Sequence, residues 1–243
     1  AVDEMIKTGT VGYYDMYFNS EKTACAARKA GMRAIVSECF FQHTVGNVPA
    51  FAEITRQWNS ESDGMVRLAS APHAIYTNTT ESLKTIVKTA RDNGALINIH
   101  LSETKAEVDN CIRQYGMTPV RYLDSIGLLG PDVMAAHCVW VDREEWDILA
   151  ERGVTVSHNP RSNMKLGSGI FPYRDAIASG VRITLGTDGC SSNNNLDMRE
   201  EMKFAALLAK MNGDTTLLPA TEVLKWATLY GAEAFGINGG IIG

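Results

Sequence analysis

The 243 residues are 45% hydrophobic and 21% charged, an ordinary balance for one large globular domain with its own core. A formal net charge of -5 supplies neither the basic face that nucleic acid requires nor a polybasic segment for a membrane surface. No apolar run is long enough to span a bilayer, and the polar, acidic opening AVDEMIKTGT is no signal peptide.

The chain alternates short β-rich runs with longer helical patterns, the signature of βα units on a parallel sheet. Strands are expected at residues 10–14, 33–37, 65–71, 96–100, 133–137, 154–158 and 181–187. Each is nearly continuous in apolar character, as strands covered on both faces are. Helices are expected over residues 80–93, 104–115, 142–152, 196–211 and 220–235, with Gly94 and Gly153 as stops. Asp142 stands three residues before Glu145, a capping-box-like start. The opening residues read as mid-helix and the closing FGINGGIIG as the start of another strand, so both ends read as cuts through a longer protein.

Five cysteines, Cys25, Cys39, Cys111, Cys138 and Cys190, form no C-x-x-C pair. An odd number argues against a disulfide framework and a zinc knuckle, and favours buried free thiols in a reducing cytoplasm. Met164, Met198 and Met202 are assigned to packing, and Asn193, Asn194 and Asn195 to a surface turn.

Polar residues decide between a closed barrel and a doubly wound sheet. Asp15, His73, His100, His137, His158 and Asp188 each fall at or just past the end of a different expected strand. Catalytic groups gather that way on a (β/α)8 barrel. An open sheet concentrates them at one switch point, and no G-x-G-x-x-G turn follows any strand. The expected architecture is a single barrel domain over residues 1–243, strands two to eight of a TIM barrel, incomplete at both ends.

Among the five histidines, four end strands and His43 sits in the loop FFQHTVGN. Four at equivalent positions suit a metal or acid–base site. His100 can bind zinc through one ring nitrogen while backbone holds the other. Glu103, three residues on, can shuttle a proton, or it can complement the dipole of the helix that follows. Asp188, in LGTDG, is either a cation ligand or a turn residue before Gly189. His137 follows two alanines without turn chemistry, so it needs a buried partner or a place in the site.

The segments PHAIYT, INIHLSET, GLLGPDVMAAHCVWV, VSHNPRSNMKLGSG and LGTDGCSSNNNLDMREEM together resemble the amidohydrolase superfamily. The branch they are most similar to is the adenosine-type deaminases acting on 5′-methylthioadenosine and S-adenosylhomocysteine. The resemblance implies a metal-dependent hydrolytic deaminase, with one divalent metal, zinc first and Fe or Mn also compatible. It implies His100 and Asp188 as metal ligands, and Glu103, His137 and Asp188 as catalytic. It implies His73, Glu103 and His137 as substrate contacts, with His73 on the sugar side. The substrate would be a small nucleoside or heterocyclic amine, in a cytoplasmic protein compatible with a homo-oligomer, with no nucleic-acid or membrane partner.

Two departures stand out. The family's metal site also uses a His-x-His pair at the end of the first barrel strand, and this chain has none. Past the family's third strand, where arginines that grip the substrate are expected, stand Ser37 and Glu38. If Glu38 faces the mouth, it disfavours a substrate with a carboxylate tail; otherwise it points away and pairs with a surface base. The alternatives left open are a guanine deaminase, a triazine hydrolase or another ring hydrolase on this scaffold, and a catalytically incompetent fragment that only binds.

Overall fold

The computed structural model describes residues 1–61, 63–237 and 239. Seven strands form one parallel sheet: β1 (Gly12–Tyr17), β2 (Arg33–Phe40), β3 (Val66–Pro72), β4 (Ile97–Leu101), β5 (Val133–His137), β6 (Thr155–His158) and β7 (Arg182–Leu185). They are hydrogen-bonded in strict chain order. A doubly wound sheet reverses order at its switch point, so the sequential order places this chain with the barrels. Among the described residues β1 pairs only with β2 and β7 only with β6, and the sheet does not close on itself.

The pleat sorts side chains between two faces. Ala34, Val36 and Phe40 of β2 pack with Ala24, Ala27 and Phe51 of the covering helices. Ile97, Ile99 and Leu101 of β4 join Leu83, Val87, Cys111 and Leu123 in the largest core cluster. The helices are therefore held by every second strand residue. The intervening positions, including Ser37, Asn98 and His100, turn to the opposite face.

Helix ends follow local chemistry. Asp142 caps the helix Arg143–Glu151 with the reciprocal Glu145 contact expected of a capping box. Thr79 caps Thr80–Asp92 in the same manner, with Ser82 in place of an acid. The helix expected over residues 220–235 is two, Ala220–Ala227 and Leu229–Ala234. Thr228 breaks it at φ -129° and ψ -78°, with its hydroxyl donating to the Leu224 carbonyl at 2.7 Å.

The helix Val2–Lys7 crosses to the loop beyond β7. The Glu4 carboxylate accepts from the Leu196 N–H at 2.9 Å, and the Thr8 hydroxyl donates to the Leu196 carbonyl at 3.0 Å. Met5, Met32 and Leu196 bury one another beneath that contact. Most of the closing FGINGGIIG segment, read from sequence as a strand start, lies outside the described residues.

Three expectations from the sequence need correction. Cys39, Cys111 and Cys138 are buried free thiols, but Cys25 and Cys190 are exposed. Met198 and Met202 pack against the core as expected, whereas Met164 is 40% exposed. Asp15 lies inside β1, level with Val36 of β2, and not at the strand's end.

Candidate active site

Three neighbouring strands deliver three imidazoles to one end of the sheet. The His73 and His100 rings meet edge to face with centroids 4.8 Å apart, and His100 and His137 lie 5.5 Å apart. The His73 carbonyl accepts from the His100 backbone N–H at 3.1 Å and from its Nδ1 at 2.9 Å. That bond places the ring proton on Nδ1 and leaves Nε2 of His100 free as a donor atom for a metal. Burial, with His137 and His73 beside it, pushes the His100 pKa down to about 3, so the ring is neutral.

Strict alternation would put His137 on the helix side with Val133 and Ala135. Its backbone is left-handed instead, at φ +74°, and Cys138 follows at +49°. A β-strand cannot continue through two such residues, and the turn re-aims the imidazole toward His100. Nδ1 of His137 donates to Asn163 Oδ1 at 2.9 Å. Its Nε2 lies 3.8 Å from Glu103 Oε2.

Glu103 keeps 17% of its side chain exposed, so a small molecule can reach it. Its Oε1 accepts from the Ser168 hydroxyl at 2.9 Å. The preceding residue, Ser102, is also left-handed at φ +50°. Glu107 is buried beneath this loop and accepts from the Ser102 and Glu103 backbone N–H groups, each at 2.8 Å. Burial pushes the Glu107 carboxyl up to about 7.

Asp188 follows β7 in a left-handed conformation at φ +59°. It accepts from the Ser162 hydroxyl at 2.6 Å and from the Gly189 N–H at 2.6 Å, and it acts electrostatically on His100. Asn193 is no surface turn. It is 1% exposed and donates to the Thr187 carbonyl at 2.6 Å and to the buried Glu201 at 2.7 Å, bracing the residue before Asp188. Asn195 accepts from Arg161 at 2.8 Å, and Asn194 accepts from Lys165 at 2.5 Å.

The remaining histidines divide. His73 binds Thr77 Oγ1 through Nδ1 at 3.1 Å and stacks on Phe41 at 4.9 Å. Phe41 in turn stacks on Phe18 at 5.9 Å and on His43 at 5.4 Å, giving the β1–β3 side of the mouth an aromatic wall. His158 is a core residue, packed on Phe171 at 4.2 Å and bonded through Nε2 to the Tyr173 hydroxyl at 2.7 Å. Glu38 shares the helix-facing side of β2 with Val36 and Phe40. Its carboxylate accepts from the Ser20 N–H at 2.8 Å and the Ser20 hydroxyl at 2.6 Å, at the start of the helix Ser20–Ala30. Glu38 thus turns from the mouth, as its alternative reading has it, but its partner is the buried Ser20 and no surface base.

His100 and Asp188 fit a divalent metal by chemistry: a neutral imidazole with its far nitrogen anchored, and a hydrogen-bonded carboxylate. By count they are short. Among the described residues no group of three or more His, Cys, Asp or Glu is arranged to hold a metal ion. The site residues that sequence reasoning missed are Ser162, Asn163, Ser168, Glu107, Asn193 and Glu201. All are polar, and all but Ser168 and Glu107 lie on turns or helices without a recognisable spacing signal. Glu107, at the third position of its helix, carries the only local signal, and it reads as a capping acid.

At 46% identity over 98% of this chain, a relative is the 5′-deoxyadenosine deaminase of Methanothermobacter thermautotrophicus, of which the match covers 57%. A second, from Thermococcus kodakarensis, is a 5-methylthioadenosine/S-adenosylhomocysteine deaminase at 45% identity, with 98% of this chain and 58% of that protein covered. Among solved structures, an adenosine deaminase from Xanthomonas campestris with bound zinc superimposes with a TM-score of 0.92 at 34% identity, over 99% of this chain and 56% of that one. The chain thus spans a little over half the length of these relatives. The Amidohydrolase family model matches residues 1–243, and the chain belongs to that family.

Proposed function

We propose that the protein of which this chain forms part of the barrel is a hydrolytic deaminase of adenosine-type nucleosides, releasing ammonia. The observation that carries the reading is the Glu103 carboxylate, held by Ser168 and 3.8 Å from Nε2 of His137, beside His100. The substrates we assign are 5′-deoxyadenosine, 5′-methylthioadenosine, S-adenosylhomocysteine and adenosine. The names of the relatives support that choice.

His100 and Asp188 would contribute two ligands to a divalent metal, zinc by this reading, with further ligands needed from outside the described residues. When bound, such a metal supplies Lewis acidity that lowers the pKa of water toward 7. Water adds across the ring C=N bond, oxygen to the amino-bearing carbon and a proton to the adjacent nitrogen. Glu103 carries that proton to the ring nitrogen. Nε2 of His137 hydrogen-bonds the attacking water and orients it. Transfer of the new hydroxyl's proton to the amino group lets the C=O bond form as the C–N bond breaks, and ammonia leaves. His73 holds the sugar side, and the aromatic wall of Phe41 and Phe18 excludes water there.

We place the protein in the cytoplasm, which the five unpaired cysteines support. No helix among the described residues is long and apolar enough to cross a membrane. The test is a panel of these nucleosides, guanine and triazines given to the full-length protein. Ammonia and the inosine-type product from an adenosine-type nucleoside support the reading. Turnover confined to guanine or triazines, or no turnover with metal bound, overturns it.

A further inference from the structure

The helix Lys105–Tyr115 opens with only half of a capping box. The Thr104 hydroxyl accepts from the Glu107 N–H at 3.2 Å. In a full box the Glu107 carboxylate would return to the Thr104 N–H. It bypasses that group. Oε1 accepts from the Ser102 N–H and Oε2 from the Glu103 N–H, both at 2.8 Å. The residue is 5% exposed, and among the described residues no lysine, arginine or histidine forms an ion pair with it. A solvated capping acid would avoid the cost of burying that charge.

The other side of the same loop is held as well. The Ser102 carbonyl accepts from the Val139 N–H at 3.0 Å and the Trp140 N–H at 2.8 Å, and the Leu101 carbonyl from the Cys138 N–H at 2.9 Å. Residues 101–103 are thus clamped between a carboxylate and the turn after β5, with Ser102 held left-handed. The clamp sets the direction in which Glu103 leaves the chain.

We infer that Glu107 is a positioning residue for Glu103, fixing two consecutive amides so that the proton-carrying carboxylate is held over the substrate ring. The inference rests on the proposed deaminase activity. A carboxylate suits the task because it offers two acceptor oxygens and no donor. Glutamine of the same shape keeps one acceptor and sets an N–H group against the second amide. Displacement of a reacting group by about 1 Å costs on the order of 100-fold in rate.

The experiment combines kinetics with amide hydrogen exchange on the full-length protein. Glu107→Gln should lower kcat roughly 10- to 100-fold with little change in KM. In a Glu103→Gln background the same change should cost almost nothing, because the residue it positions is already disabled. The Ser102 and Glu103 amides should exchange slowly in the wild type and quickly in Glu107→Gln. An equal kcat loss in both backgrounds, or amides that exchange freely in the wild type, would overturn the inference. The wild-type exchange measurement stands even if Glu107→Gln does not fold. It also separates failure of the clamp from failure of the deaminase reading, which shows as absent wild-type turnover.

Discussion

Replacing His158 with glutamine tests whether the buried histidine under the sheet is held neutral. The ring is 1% exposed, its Nε2 meets the Tyr173 hydroxyl at 2.7 Å, and its Nδ1 has no partner. A second ring proton would therefore be buried without an acceptor. Burial, with His137 next in effect, pushes the His158 pKa down to about 3, against an ordinary value of 6.5. The unfolded chain takes up the proton as pH falls through 6.5, and the folded chain does not until near 3. Stability from this group is thus present above 6.5 and is lost progressively as pH falls toward 3. At about 1.4 kcal/mol per pH unit, moving from pH 7.5 to pH 5 costs roughly 2 kcal/mol through His158 alone. Glutamine places an amide near the Nε2 position and does not titrate. Urea denaturation at pH 7.5, 6 and 5 should show the wild type losing about 2 kcal/mol more than His158→Gln over that range. His100 is unchanged between the two proteins and cancels in the difference. Parallel pH profiles would refute the reasoning.

Three further outcomes follow from the same geometry. Glu38→Ala should cost about 1 kcal/mol through the lost bonds to Ser20, read by denaturation, and leave the ratio of kcat/KM for 5′-methylthioadenosine over S-adenosylhomocysteine unchanged; a shifted ratio would place Glu38 in the mouth after all. Asn193→Ala strands the Thr187 carbonyl and the Glu201 carboxylate and should destabilise by about 1–3 kcal/mol, whereas a true surface turn would lose almost nothing. A protein of these 243 residues alone should lose zinc on dialysis, because His100 and Asp188 are two ligands where catalytic zinc generally uses three; one equivalent of retained zinc, held by these two alone, would contradict this.

Much of the scaffold was open to reading in the sequence because its signals are local. Val133–His137 was found at its observed bounds, and the Asp142–Glu145 capping box as observed. The end of β1 was misjudged by three residues, 14 against Tyr17, which put Asp15 at a strand end it does not occupy. The break at Thr228 was hidden because the apolar spacing continues across it. His100, Glu103, His137 and Asp188 stand out as candidates by position and resemblance. What holds them does not, because left-handed backbone at Ser102, His137, Cys138 and Asp188 uses no glycine and leaves no compositional trace. Asn193 reads as a surface turn and Glu201 carries no signal, and only packing across the loop after β7 shows them buried. The fate of Glu38 depended on strand parity, which the sequence run RAIVSECF does not by itself reveal.

The central claim is that Glu103 carries the proton in deamination beside a metal site that includes His100 and Asp188. Its most direct test is turnover of 5′-deoxyadenosine together with metal content, in the full-length protein and its Glu103→Gln variant. The expected result is ammonia release by the wild type, a loss on the order of 10²- to 10⁴-fold in kcat for the variant, and the same metal content in both. Near-normal turnover in Glu103→Gln would return the residue to a role in its helix dipole and contradict the account.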